Sequence, residues 1–240
     1  AVPIAASFLI GKVANCRKVL ERALRDHPLL VDQNALSAAS ASLKEILSHL
    51  SNCATINDLM GFEGSAAKIY FSVFDQLILQ QREDFQFIER SRRPPLDNFN
   101  ALLSFLYTLL TNDVSSALEG VGLDPYVGFL HQDRPGRPSL ALDLMEEFRP
   151  IIVDSLVLKL VNKGMIQQND FSIDSHGALR LGKRSFKKFI TQYQKRIDTE
   201  TIYYPEQRKM SYRMIFEKQA KKIVQMIERP DQSYLPHLWR

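Results

Sequence analysis

Apolar residues recur three or four positions apart over long intervals of this 240-residue chain, and this helical spacing most narrows its possible folds. The 10 glycines and 11 prolines fall mainly between those intervals, where they end helices. We therefore predict a mainly α-helical fold. The predicted helices lie near residues 4–26, 34–50, 58–88, 96–119 and 139–162, with one or two more between 183 and 229.

Two segments add detail to this prediction. Residues Leu102 to Leu110 are apolar almost all round a helix, which predicts the central helix of the core. Residues Phe171 to Leu181 alternate around a His-Gly pair and predict one small β-hairpin. We predict a loop before Pro205. No repeat or linker divides the sequence, so we expect a single helical lobe over residues 1–240.

Charge is unevenly distributed along the chain. The whole sequence has 31 basic and 27 acidic residues, but residues 181–240 hold 14 basic and 6 acidic ones, a net charge of +8. The first 180 residues therefore carry a net charge of −4. A basic C-terminal part suits a phosphate-rich partner such as nucleic acid, whereas clustered carboxylates attract divalent cations. A solvated helix with basic faces is the alternative explanation.

The sequence also limits where the protein works. A membrane-spanning helix needs about 18 uncharged apolar residues, and Lys12, Arg17 and Lys18 interrupt the most apolar candidate. The two cysteines, Cys16 and Cys53, cannot form a disulfide framework. We expect a cytoplasmic protein with no membrane association.

An acidic segment follows the proline-rich stretch around residue 136. Asp143 and Glu146 are three residues apart on the predicted helix, so their like charges repel unless a cation, Arg149 or water separates them. His131 precedes this helix, and the intervening turn residues can bring its imidazole back toward the carboxylates. One histidine with one or two carboxylates suits Mg²⁺ or Mn²⁺. A structural pair between His131 and Asp133 is the alternative.

Glu63 is a single acid in a run of small residues, Gly61, Gly64, Ser65, Ala66 and Ala67. Small side chains let another helix or a DNA strand approach the backbone closely. This setting favours a carboxylate that points at a ligand. The alternative is that the small residues permit tight helix packing while Glu63 faces solvent.

Three separate segments, in order, resemble the Cas-one family of CRISPR-associated spacer integrases. They are residues 61–70 (Gly-Phe-Glu-Gly-Ser-Ala-Ala-Lys-Ile-Tyr), residues 93–107 and residues 122–149. The close similarity spans roughly residues 57–152, with a looser one to about residue 215. The resemblance implies a multi-helix catalytic lobe with a metal-site core near 57–152, followed by a hairpin and basic helices near 165–230. The family's N-terminal β-rich lobe has no counterpart here, so we expect the chain to correspond to the α-lobe.

The resemblance also implies the site residues. Glu63, His131 and Glu146 match the family's catalytic metal ligands for Mg²⁺ or Mn²⁺, and Asp143 matches a further acidic position that we expect to bind the metal. For DNA binding we expect residues near these ligands and a basic group farther along the chain: Tyr70, Arg134, Arg137, Arg149, Lys183, Arg184, Lys187 and Lys188. Tyr70 has a buried core tyrosine as its alternative.

The implied function is metal-dependent integration of DNA during CRISPR adaptation. The family joins prespacer 3′-hydroxyl ends to the repeat boundary by transesterification, and its partners are prespacer and repeat DNA, the Cas-two protein and, in some systems, a Cas-four nuclease. The full-length protein is expected to be a homodimer. Two alternatives stay open: a divalent-metal endonuclease that cuts branched DNA without integrating, and a non-catalytic helical DNA-binding module. A tyrosine nucleophile at Tyr203 or Tyr204 has little support, since no Arg and His constellation accompanies it.

Overall fold

Helices make up most of the structure, a computed structural model that describes residues 1–91, 95–132, 134–173, 179–229 and 231–239. This confirms the predicted mainly helical fold. None of the helices within these ranges is long and apolar enough to cross a membrane. The helices are α1 (Val2–Asp26), α2 (Gln33–Leu50), α3 (Ile56–Ser72), α4 (Asn98–Glu119), α5 (Ser139–Met145), α6 (Ser155–Asn162), α7 (Lys183–Ile197) and α8 (Tyr212–Glu228).

Side-chain caps fix where three of these helices begin. Asp32 accepts a hydrogen bond from the backbone N–H of Ala35 at the start of α2. Thr55 and Asp58 form a reciprocal capping box at the start of α3. Asp97 caps α4 in the same way as Asp32 caps α2. Each cap satisfies backbone donors that the first turn leaves free, which stabilises the helix by about 1 kcal/mol.

Helix α4 lies at the centre of the core, as predicted. Its side chains Leu102, Leu103, Leu106 and Leu110 are all buried. The helix packs against α5, α6 and α8, while α1 packs against α2, α3 and α5. These contacts place α1, α3 and α5 next to one another, and the candidate site is built from these three helices.

The predicted helix over residues 58–88 is wrong in its second half, because α3 ends at Ser72. A short 3₁₀ turn follows, Phe74–Leu77, and the chain then continues without regular structure to α4. The side-chain amide of Asn162 donates to the carbonyl of Leu77 and accepts from the N–H of Leu79. These bonds replace the helical ones and hold the chain in its new direction.

The predicted helix over residues 139–162 is interrupted after α5. A π-helical segment, Arg149–Asp154, separates α5 from α6. Pro150 lacks the N–H that would bond to the carbonyl of Glu146, so the α-helical ladder cannot continue there. The break turns the backbone at residues 146 and 147, and π-helical turns of this kind often occur at functional sites.

The structure contains the predicted hairpin and an additional one. Strands β1 (Phe171–Ile173) and β2 (Leu179–Leu181) pair antiparallel, as predicted. Strands β3 (Glu200–Tyr203) and β4 (Arg208–Ser211) form a second antiparallel pair that the sequence did not predict. Tyr203 is therefore in a strand and not in a loop. It is buried, and its hydroxyl donates to Gln219, which removes it as a nucleophile.

Candidate active site

Two carboxylates from distant parts of the chain meet at the ammonium group of Lys12. Glu63 lies on α3, Glu146 directly follows α5, and Lys12 lies on α1. The Lys12 Nζ is 2.9 Å from Glu146 Oε2 and forms a still shorter ion pair with Glu63 Oε1. The structure thus brings together the two glutamates that the resemblance selected, with a cation between them.

Glu146 is ionised and almost completely buried, with only 2% of its side chain exposed. Burial by itself would raise its pKa, but the charges of Arg149, Lys12 and His131 outweigh it and lower the pKa to about 2. The guanidinium of Arg149 lies 3.2 Å from Glu146 Oε1. No directed hydrogen bond reaches Oε2, although the ammonium is close. Glu146 therefore keeps an anionic oxygen available for a cation.

Burial also acts on Lys12, in the direction that would lower its pKa. The negative charges of Glu146 and Glu63 outweigh it, so the pKa of Lys12 is raised above its usual range. The ammonium therefore stays charged at neutral pH. Lys12 and Glu146 stabilise each other's ionised forms in a buried setting, where the interaction between charges is stronger than in water.

His131 is held in one orientation by Asp143. The imidazole Nδ1 is 2.6 Å from Asp143 Oδ1, a carboxylate oxygen that can only accept, so Nδ1 carries the proton and Nε2 keeps its lone pair. Backbone N–H groups of Phe129, Leu130 and His131 also donate to this carboxylate, at 2.6, 2.9 and 3.0 Å. A carboxylate behind a histidine is the usual support of a metal-binding imidazole. The alternative partner, Asp133, lies outside the described residues.

Gly128 makes this arrangement possible. A Cβ atom at this position would lie 2.8 Å from Ser139 Cβ, 2.9 Å from the His131 carbonyl oxygen and 3.0 Å from Asp143 Oδ2. These distances are shorter than real Cβ contacts, so a side chain would push the loop away from α5. The glycine allows three consecutive N–H groups to converge on one carboxylate.

Two expected site residues have different places in the structure. Asp143 is fully buried, and its two oxygens already accept four hydrogen bonds, so it positions His131 and is not placed to bind a metal ion directly. Tyr70 is 1% exposed, and its hydroxyl donates to Asp154 Oδ2 at 3.1 Å. The expected DNA contact through Tyr70 is therefore wrong, and its alternative as a core tyrosine is confirmed.

Behind the site lies a buried polar layer centred on Asp154. Tyr70 and Tyr107 both donate to its carboxylate, Tyr107 at 2.5 Å. Burial raises the pKa of Asp154 to about 6, although the two hydroxyl donors oppose the rise. The guanidinium groups of Arg90 and Arg149 lie 5.3 and 5.1 Å from the centre of the Tyr107 ring. Tyr107 thus supports the arginine that contacts Glu146.

The expected DNA-binding residues differ in accessibility. Arg134 is exposed and Arg137 is half-buried in the loop that follows His131. Arg149 is largely buried and is occupied by its ion pair with Glu146. An exposed basic group lies on the first two turns of α7, formed by Lys183, Arg184, Lys187 and Lys188. Except for Arg149, the predicted basic residues are accessible to a phosphate backbone.

The donor set at the site fits a small divalent cation. Two carboxylates and an imidazole with a free Nε2 are ligands that Mg²⁺ or Mn²⁺ accepts, and the unpartnered Glu146 Oε2 is an acceptor that an ion would satisfy. In the part of the chain that the structure describes, no three such side chains already stand close enough to share an ion. The ammonium of Lys12 lies between Glu63 and Glu146 instead.

The sequence-based reasoning did not identify Lys12 as a site residue. Its signal was present but weak: Lys12 is flanked by Gly11 and Val13, which are buried, whereas the nearby Lys18 is partly exposed. A lysine on the apolar face of a helix needs a buried anion. That rule could have marked Lys12 as a partner of a buried carboxylate, although not of which one.

Comparison with known proteins assigns the chain to a family. The family model described as CRISPR associated protein Cas1 matches residues 1–195. The chain belongs to the Cas1 family. It is 46% identical to the CRISPR-associated endonuclease Cas1 1 of Chlorobaculum tepidum, over 99% of this chain and 69% of that protein. It is 39% identical to a CRISPR-associated exonuclease Cas4/endonuclease Cas1 fusion of Geobacter sulfurreducens, over 91% of this chain and 39% of the fusion.

Solved structures show the same fold. A casposase bound to its integration product superposes with a TM-score of 0.83 at 25% identity, covering 98% of this Cas1 chain and 62% of the casposase chain. A partial Cas6-RT-Cas1–Cas2 complex gives a TM-score of 0.83 at 25% identity, covering 99% and 68% of the two chains. The expected Cas-one resemblance is therefore confirmed by sequence and by fold.

Proposed function

We propose that this Cas1 chain is a metal-dependent DNA integrase of CRISPR adaptation, which joins prespacer 3′-hydroxyl ends to the repeat boundary by transesterification. One observation carries the proposal: Glu63 and Glu146 share one cation, and His131 is near enough to Glu146 to lower its pKa. The likeness to a casposase bound to an integration product supports strand joining as the reaction.

In this proposal Glu63, Glu146 and the Nε2 of His131 hold one Mg²⁺ or Mn²⁺ ion. When bound, such an ion supplies a Lewis acid for the phosphoryl oxygen and lowers the pKa of a coordinated hydroxyl. Asp143 keeps the imidazole in the tautomer whose Nε2 can bind. Arg149 keeps Glu146 ionised and in place, and Tyr107 packs against the Arg149 guanidinium.

The remaining task of the protein is to hold two DNA segments in line. A 3′-hydroxyl must approach the phosphorus opposite the leaving oxygen, so positioning contributes much of the rate. Arg134 and Arg137 follow His131 in the chain and are proposed to clamp phosphates beside the reacting bond. The exposed basic residues of α7 are proposed to bind duplex farther away, where they add affinity without reading sequence.

The proposed partners follow from the same family. The neighbouring structure that contains Cas1 and Cas2 supports an assembly with the Cas-two protein around prespacer and repeat DNA. The Cas4/Cas1 fusion supports a Cas-four nuclease as a further partner. We also propose that the full-length protein is a homodimer.

The test supplies a labelled duplex with free 3′ ends, a supercoiled plasmid that carries the repeat, and Mn²⁺. Covalently joined product supports the integrase. Nicked plasmid alone supports an endonuclease without integration, a function that the names of the curated relatives favour. Glu63→Gln, His131→Ala and Glu146→Gln should each abolish joining. Glu45→Gln, on an exposed face of α2, is the matched control and should join DNA like the unmodified protein.

If the three site variants leave joining unchanged, the proposed catalytic residues are wrong. If neither joining nor nicking occurs with any metal, while the protein still binds DNA, the chain is a non-catalytic helical module. Measuring binding, nicking and joining on the same substrates therefore separates the three functions.

A further inference from the structure

Lys12 lies where the proposed ion would lie. Its ammonium contacts Glu63 Oε1 and is 2.9 Å from Glu146 Oε2, and only 11% of its side chain is exposed. Arg149 approaches the other oxygen of Glu146, at 3.2 Å, and so does not take this position. The lysine comes from α1, whereas the carboxylates come from α3 and from the end of α5.

Without a cation between them, the two carboxylates would destabilise the folded protein. Like charges brought close together in a buried setting repel and raise each other's pKa, and a buried charge without a partner is costly. The ammonium of Lys12 removes both effects. A divalent ion that binds Glu63 and Glu146 would remove them too, and the two cations would repel each other at this distance.

The structure gives the ammonium a place to move to. A cavity of about 30 Å³ lies beside Lys12, and Ala66, Ala67 and Arg149 are among the residues that line it. This volume is about that of one water molecule, which is also the size of an ammonium group. The small side chains of α3 leave this space open next to the helix that carries Glu63.

We propose that Lys12 is an internal counter-ion of the Cas1 site. It holds Glu63 and Glu146 together in the metal-free protein, and a divalent cation must displace it in order to bind. The charge of Lys12 thereby sets the metal affinity. This inference rests on the metal-dependent function proposed above and makes Lys12 a positioning residue, since it contacts neither DNA nor the reacting atoms.

The test measures Mn²⁺ binding to full-chain protein by titration calorimetry and by the loss of the free-ion EPR signal. Lys12→Gln removes the charge but keeps an amide that can donate to both carboxylates. It should bind Mn²⁺ about tenfold more tightly than the unmodified protein, because no positive charge has to be displaced. Lys18→Gln removes the same charge from a partly exposed position on the same helix, and it should stay within about twofold.

A second readout uses the metal-free protein. In EDTA, Lys12→Gln should unfold at a lower temperature than Lys18→Gln, and saturating Mn²⁺ should raise its melting temperature more than it raises that of the unmodified protein. Lys12→Arg keeps the charge and should bind Mn²⁺ within about threefold of the unmodified protein. It tests the inference even if the neutral variant does not fold, since clearly tighter binding by Lys12→Arg would contradict it.

The outcomes separate this inference from the proposed function. If the unmodified protein binds Mn²⁺ and Lys12→Gln binds it no more tightly, Lys12 is not a competing counter-ion, and the metal site stands. If neither protein binds Mn²⁺ or Mg²⁺, the metal-dependent function and the role of Lys12 both fail. An unchanged melting temperature of Lys12→Gln in EDTA would also overturn the counter-ion role.

Discussion

Asp143→Asn is the most informative single substitution behind the site. Asp143 Oδ2 accepts from the N–H groups of Phe129 and Leu130, and Oδ1 accepts from the N–H and Nδ1 of His131. An asparagine has one acceptor oxygen, so in either orientation its NH₂ group faces two donors. The variant loses two hydrogen bonds to a charged acceptor, and buried donors are left without partners.

The expected loss of stability follows from these two bonds. A hydrogen bond to a charged group contributes about 1.5–3 kcal/mol, so the free energy of unfolding should fall by about 3–6 kcal/mol. For a chain of this size the melting temperature should fall by about 10 °C or more. Loss of the support behind His131 should also weaken Mn²⁺ binding by about 10- to 100-fold.

Thermal unfolding and Mn²⁺ titration of the same preparations check both effects. Asp124→Asn is the matched control, because Asp124 accepts one hydrogen bond, from the N–H of Tyr126 in an exposed turn, and an asparagine can keep it. If Asp143→Asn melts like Asp124→Asn and binds Mn²⁺ like the unmodified protein, Asp143 does not position His131.

Three further predictions test the surroundings of the site. Tyr70→Phe should lower the free energy of unfolding by about 1–2 kcal/mol and leave DNA affinity unchanged in a filter-binding assay; weaker DNA binding would restore Tyr70 as a DNA contact. Because the pKa of Asp154 is raised to about 6, its ionisation costs stability as the pH rises through that value, so Asp154→Asn should exceed the unmodified protein by up to about 3 kcal/mol at pH 7 and by almost nothing at pH 4. Urea unfolding at both pH values checks this, and a gain independent of pH would contradict it. Replacing Lys187 and Lys188 by Gln should reduce the slope of log affinity against log salt by about 2, whereas Lys44→Gln, on α2, should not change it; equal slopes would exclude α7 as a DNA surface.

The sequence predicted those parts of the fold whose cause is local. Helices α1, α2 and α4 combine apolar periodicity with a start signal, such as Asp97 at the N-cap of α4. The end of α3 depends on Asn162, a residue far along the chain, and no local pattern reveals that contact. Pro150 was visible inside the predicted helix 139–162, and it should have indicated the break. The strands β3 and β4 have four residues each, too few for alternation to be recognised.

The site was predictable to a similar extent. Glu63, His131 and Glu146 were identified through the family resemblance, whereas their spacing alone left solvent exposure as an equal explanation. The resemblance did not distinguish a residue that binds the ion from one that supports a ligand, so Asp143 was assigned to the metal. Lys12 contacts residues 51 and 134 positions away along the chain. Only the packing of α1 against α3 and α5 brings these groups together.

A crystal structure of the protein grown with Mn²⁺, with anomalous data collected at the manganese edge, tests the central claim most directly. We predict one strong anomalous peak bonded to Glu63, Glu146 and the Nε2 of His131, with the ammonium of Lys12 moved away from both carboxylates. A protein that joins DNA in Mn²⁺ but shows no peak among these three side chains, or a peak held by other residues, would contradict the account.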